Sequence, residues 1–218
     1  MEIKDNRHLF KKRDQEEEPK KDLSLIILES SEDVNSYVKL VQHILKEENK
    51  NSVFVKSLEV NMPQKAGIDY LYMVANQRAE WFKQNIVPYL RQGKVVITDG
   101  YYYKDVVMVF LSLYIQAREK ANKEGKGQDT KVEIPFGVVQ KIIEINKQFL
   151  PDPDMLFLLF NTNNQEQQLQ IMAYNELFRS LPFTYFFNIF YSEEEIVKEM
   201  KVRILDKLRN QSSKSQKI

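Results

Sequence analysis

The chain has no cysteine among its 218 residues, and only two histidines, one tryptophan and six glycines. Without cysteine there is no disulfide, no thiolate nucleophile and no cysteine-ligated zinc. His8 lies in a densely charged segment and His43 on a predicted helix, each without the ligand company a metal needs, so neither a metal nor a cofactor is expected. An excess of one charge is missing too. The 32 Lys+Arg and 31 Asp+Glu leave a formal net charge of +1, which gives no electrostatic basis for binding nucleic acid or an anionic membrane. No apolar run is long enough to span a bilayer, so no transmembrane segment is expected. The opening residues, with Glu16-Glu17-Glu18 among them, read neither as a secretory signal nor as an acid-poor transit peptide.

What remains is an ordinary core-forming composition, 43% hydrophobic and 29% charged, enough for one domain. Residues 1–22 and 210–218 are polar, without hydrophobic period, and read as flexible tails around a domain at 23–209. Five short apolar runs predict strands at 23–28 (LSLIIL), 52–58 (SVFVKSL), 94–98 (KVVIT), 155–160 (MLFLLF) and 183–190 (FTYFFNIF). Helical spacing lies between and after them, at 34–48, 67–91 with a kink near Pro88 and a stop at Gly93, 102–121, 136–148, 166–180 and 193–209. A polar loop is expected at 119–131. Strands apolar on both faces and alternating with helices predict a three-layer α/β fold, a parallel five-stranded sheet with helices on both faces.

In such folds ligands sit beyond the carboxyl ends of the strands, and the first strand–helix junction is the natural phosphate cradle. Here that junction reads Glu29-Ser30-Ser31-Glu32-Asp33-Val34-Asn35-Ser36-Tyr37, with three carboxylates and neither glycine nor lysine. The first glycine of the chain is Gly67, so no glycine-rich phosphate loop lies earlier. Two further stretches carry a likeness. Residues 72–110 (YMVANQRAEWFKQNIVPYLRQGKVVITDGYYYKDVVMVF) and Pro151-Asp152-Pro153-Asp154 before MLFLLF resemble thymidylate kinases, one family of the nucleoside-monophosphate kinases. The first matches the segment from the nucleoside-binding helix to the strand ending in Asp-Arg-Tyr. The second matches that family's Pro-Asp-leading strand. The likeness spans roughly residues 23–209 and implies the P-loop kinase fold.

Set against that family, the chain departs at the residues that handle phosphate. Ser30, Asp33 and Asn35 stand where the loop glycines belong, Ser36 where the lysine belongs, and Tyr37 where the magnesium-ligating hydroxyl belongs. Asp-Arg-Tyr has become Asp99-Gly100-Tyr101, and residues 151–178 contain no Lys or Arg to serve as a lid. Val74 replaces the ring that stacks on thymine, which leaves Arg78, Asp99 and Tyr101 as vestigial nucleotide-binding positions. Phosphoryl transfer is mostly positioning and charge stabilisation, and a single arginine finger is worth roughly 10³–10⁵ in rate. The expectation is a pseudoenzyme with no catalytic residue.

The same residues have plainer roles open to them. Asp99 can cap the following helix or bond nearby backbone, and Arg78 can pair with a carboxylate. Glu29, Glu32 and Asp33 are expected as solvated residues at a helix start rather than as metal ligands. Residues 106–115 (VVMVFLSLYI) are apolar except for Ser112, the pattern of a helix buried all round, against its own domain or against a partner. These readings together imply an accessory subunit of a larger assembly, with other protein subunits as partners and a homodimer kept as an option. The resemblance supplies a precedent in the nucleoside-kinase-like accessory subunit of animal mitochondrial respiratory complex I. A mitochondrial matrix-side setting and a cytoplasmic one both stay open. The alternative is a nucleotide-binding regulator or residual kinase that still uses Arg78, Asp99 and Tyr101.

Overall fold

The computed structural model describes residues 23–30, 33–60, 68–125, 132–163, 167–189 and 192–215. Five strands, β1 (Leu25–Ser30), β2 (Ser52–Val55), β3 (Val95–Thr98), β4 (Met155–Phe160) and β5 (Thr184–Asn188), form one sheet in the order β2-β3-β1-β4-β5, with every pair parallel. The helices are α1 (Asn35–Glu47), α2 (Ile68–Asn85), α3 (Val87–Arg91), α4 (Tyr102–Lys123), α5 (Phe136–Phe149), α6 (Gln168–Phe178) and α7 (Glu193–Ser215).

The strand period of two builds both layers of core. Ile26, Leu28, Val95, Ile97, Met155, Phe157 and Leu159 meet α1 and α7 on one face. Leu25, Ile27, Val96, Leu156, Leu158 and Phe160 point the other way and meet α2, α4, α5 and α6. Apolar residues on consecutive positions of β1, β3 and β4 are therefore the direct consequence of a parallel sheet covered twice. The α/β class and the three-layer architecture hold as the sequence implies.

Several details differ from the sequence reading. β1 extends two residues beyond the apolar run, because Glu29 and Ser30 pair in register with Leu158 and Leu159 of β4. The expected 67–91 helix is two, α2 and α3, joined at Ile86 with Pro88 in the first turn of α3, where its missing N–H costs nothing. Gly93 closes α3 at φ 69°, a left-handed position that glycine takes without strain. Residue 67 and positions 126–131 of the expected 119–131 loop lie outside the described residues, and α4 continues to Lys123. α7 runs through Ser215, so residues 210–215 are helical rather than part of a tail, while residues 1–22 and 216–218 lie outside the described residues. α4 is not buried all round either. Val106, Val107, Phe110 and Leu111 are buried, whereas Met108 and Ile115 are 44% and 46% exposed.

Candidate functional site

β1, β3 and β4 are adjacent parallel strands, and in folds of this class ligands sit beyond the carboxyl ends of the strands. β1 delivers Glu29 to this place. Being two residues past Ile27 on a strand, it continues the row Leu25–Ile27 and points into the core, 2% exposed. One carboxylate oxygen accepts the backbone N–H of Tyr101 at 2.9 Å, and the other accepts the hydroxyl of Tyr174 on α6. Burial pushes the Glu29 carboxyl up from 4.5 to about 7, against the pull of those hydrogen bonds and of Arg78. Glu29 is thus a buried group, not the solvated helix-start residue expected from the sequence. Asp33 is exposed and uses Oδ1 to accept the N–H of Asn35 at 3.1 Å, so a side chain of the chain itself takes the first amide of α1. Glu32 lies outside the described residues.

The remaining phosphate-loop positions are dispersed. Ser30 is the last residue of β1, Asn35 and Ser36 are exposed on the first turn of α1, and Tyr37 packs on the α1/α7 core. Val34, the N-cap of α1, makes no side-chain cap bond.

Arg78 sits on α2, 4% exposed. Its guanidinium grips Asp105 of α4 through two parallel bonds, Nε to Oδ2 and Nη2 to Oδ1, the second at 2.8 Å, and donates from Nη1 to the carbonyl of Leu58 at 3.2 Å. The fork geometry suits arginine and uses most of its donors on the protein. Burial pushes the Asp105 carboxyl above its usual range even with this partner beside it. Sequence reasoning gave Arg78 a carboxylate partner but could not name Asp105, 27 residues away on another helix.

Asp99 accepts the backbone N–H of Ser57 at 2.6 Å, which ties the end of β3 to the segment after β2. Of its two plain roles it takes backbone bonding rather than capping, since Tyr101 is the N-cap of α4 and makes no side-chain cap bond. Between them Gly100 passes close to Ser57, whose Oγ lies 3.0 Å from where a β-carbon at residue 100 would be. An arginine at that position would have to displace the Ser57 hydroxyl.

Tyr101 is 2% exposed and donates its hydroxyl to the Pro151 carbonyl at 2.9 Å. It opens an aromatic block. Tyr101, Tyr102 and Tyr103 lie with ring centroids 4.3–5.8 Å apart, Tyr103 meets Phe178 at 4.9 Å, and Tyr174 meets Phe160 at 5.1 Å. Burial pushes the hydroxyls of Tyr101, Tyr102, Tyr103 and Tyr174 up, so all four are neutral phenols. Val74 is 3% exposed, a core residue of α2 with no free face to stack on a base.

Arg78, Asp99 and Tyr101 are each engaged by protein groups, Arg78 by Asp105, Asp99 by the Ser57 amide and Tyr101 by Glu29 and the Pro151 carbonyl. The Tyr101 amide that leads into α4 is taken by the Glu29 carboxylate. Sequence reasoning missed Glu29, Tyr174 and Asp105 as members of this cluster. A signal for Glu29 was present in its two-residue spacing from Ile27. Among the described residues no group of three or more His, Asp or Glu is placed to hold a metal ion. A concavity of about 850 Å³ lies elsewhere, on the outer side of α2 between Leu58, Tyr72, Met73 and Trp81, and includes none of these residues. No described helix is long and apolar enough to cross a membrane.

No protein-family model matches the chain, and no curated protein matches it. Among solved structures it is similar to the thymidylate kinase of Ehrlichia chaffeensis, with a TM-score of 0.53 at 14% sequence identity, over 85% of this chain and 100% of that one. At that identity the likeness establishes the fold, which is that of the P-loop kinases.

Proposed function

We propose that this chain is a non-catalytic, thymidylate-kinase-like protein that serves as a structural accessory subunit of a larger protein assembly. The observation that carries this reading is Glu29, a buried carboxylate at the start of the 29–37 junction, where the family's loop follows the first strand, with its oxygens taken by the Tyr101 amide and the Tyr174 hydroxyl. Three further observations support it. The junction 29–37 has no lysine, residues 151–178 have neither lysine nor arginine, and Arg78 is committed to Asp105. Phosphoryl transfer depends on positioned positive charge, and each missing contact costs orders of magnitude in rate. The half-exposed apolar residues Met108 and Ile115 on α4, and Tyr72 and Met73 on α2, offer the kind of surface that a partner subunit covers.

The native size of the protein in gentle extracts of its source tests the assembly. Stoichiometric migration with other proteins far above 25.9 kDa is the expected result, and the co-migrating subunits then identify the assembly, a mitochondrial respiratory complex being the setting with a precedent in this fold. Migration as a free monomer or homodimer overturns it.

A further inference from the structure

We propose that Glu29 is a proton-operated clasp, whose protonation state sets how firmly β1 holds the start of α4 and the middle of α6. The clasp follows from what faces this carboxylate. α4 and its leading residue contribute the Tyr101 amide, the Tyr102 ring and Asp105; α2 contributes Arg78; α6 contributes the Tyr174 hydroxyl. The cluster therefore contains two carboxylates and one guanidinium, and the guanidinium is engaged by Asp105 through both of its parallel donors. Glu29, when ionised, has two neutral donors and no cation of its own, an arrangement that satisfies its oxygens while leaving its charge buried.

The two protonation states differ in bonding as well as charge. Ionised, both oxygens accept, one from Tyr101 and one from Tyr174. Protonated, the acid must donate its own proton, and the Tyr174 hydroxyl that faces it has to turn from donor to acceptor. Tyr174 cannot relieve the conflict by ionising, because burial and the neighbouring Glu29 push its phenol up. The clasp thus joins three elements through a single exchangeable proton. Burial, raising the carboxyl from 4.5 to about 7, brings both states within ordinary pH.

The sign of the linkage follows. The unfolded chain releases this proton near 4.5, whereas the folded chain keeps it to about 7. Folding therefore takes up a proton between those values, and stability falls as pH rises through that window and levels off above it. The folded chain is more stable on the acid side of this window and less stable on the alkaline side, where the clasp holds a buried charge.

A carboxyl NMR titration of the intact chain tests this directly. Glu29 is expected to titrate with a midpoint near 7, with the Tyr101 amide and the Tyr174 ring following the same midpoint. A Glu29 midpoint below about 5, in the ordinary range of a glutamate, overturns the proposal. Denaturation provides the second arm. From about pH 5 to about pH 8.5 the unfolding constant of the wild type is expected to rise by between one and two orders of magnitude, and Glu29→Gln is expected to remove that rise. All other groups are common to both proteins, so the difference between them isolates Glu29. A slope that survives in Glu29→Gln overturns the proposal as well. Should that variant fail to fold, Tyr174→Phe serves instead. It removes a bond that favours the ionised form, so the Glu29 midpoint is expected to move up, and an unmoved midpoint contradicts the clasp.

Discussion

On the α1/α7 face of the sheet, Ile26, Leu28, Val95, Ile97 and Met155 meet Val41, Ile44, Met200 and Ile204 in an apolar layer. On the other face the same strands bury Glu29, and the helices above them bury Arg78, Asp105, Asn146 and a block of tyrosines. Both faces are equally closed to solvent, so the difference is chemical. The first face is what any parallel sheet needs. The second buries polar groups and closes them on one another.

The comparison can be broken first at the Arg78–Asp105 pair. Arg78→Met leaves an uncompensated carboxylate in the α2–α4 interface and is expected to cost about 3–5 kcal/mol by chemical denaturation. Adding Asp105→Leu is expected to restore most of that loss, because what is costly is the unpaired buried charge rather than the missing bond. If the double variant is as unstable as the single one, the pair is not isolated in the way its bidentate geometry implies. On the apolar face, Ile204→Ala, at a fully buried position, is expected to cost about 2–5 kcal/mol through lost burial and the cavity left behind. That loss is expected to be the same at pH 5.5 and pH 8.5, since the buried residues of the layer are all apolar, whereas Glu29→Gln on the opposite face changes the pH dependence itself. A pH-dependent Ile204→Ala would blur the distinction between the faces. The smallest effect is expected outside both layers. Gly93→Ala, at φ 69° in open space, is expected to cost about 1 kcal/mol, from backbone strain alone.

The apolar layers were largely legible in the sequence. MLFLLF is β4 residue for residue, since a run apolar on both faces has one stable home, the middle of a doubly covered sheet. Glu29 was misplaced for a related reason. The apolar run ends at Leu28, so the strand was ended there, yet β1 continues to Ser30 because its hydrogen bonds to β4 do not depend on side-chain polarity. The pairing of Arg78 with Asp105 depends on how α2 and α4 cross, which periodicity within either helix does not encode. The exposed side of α4 was hidden by composition, because Met108 and Ile115 are as apolar as their buried neighbours.

Thermal unfolding of the purified chain with and without saturating thymidine monophosphate and magnesium ATP addresses the central claim, that this kinase fold no longer serves a nucleotide. A ligand that binds the native state must raise its apparent stability, by about 2.7 kcal/mol at a hundredfold excess over Kd. The expected result is an unchanged midpoint at every concentration of either ligand. A saturable rise with either one contradicts the account and returns Arg78, Asp99 and Tyr101 to the role of a working site.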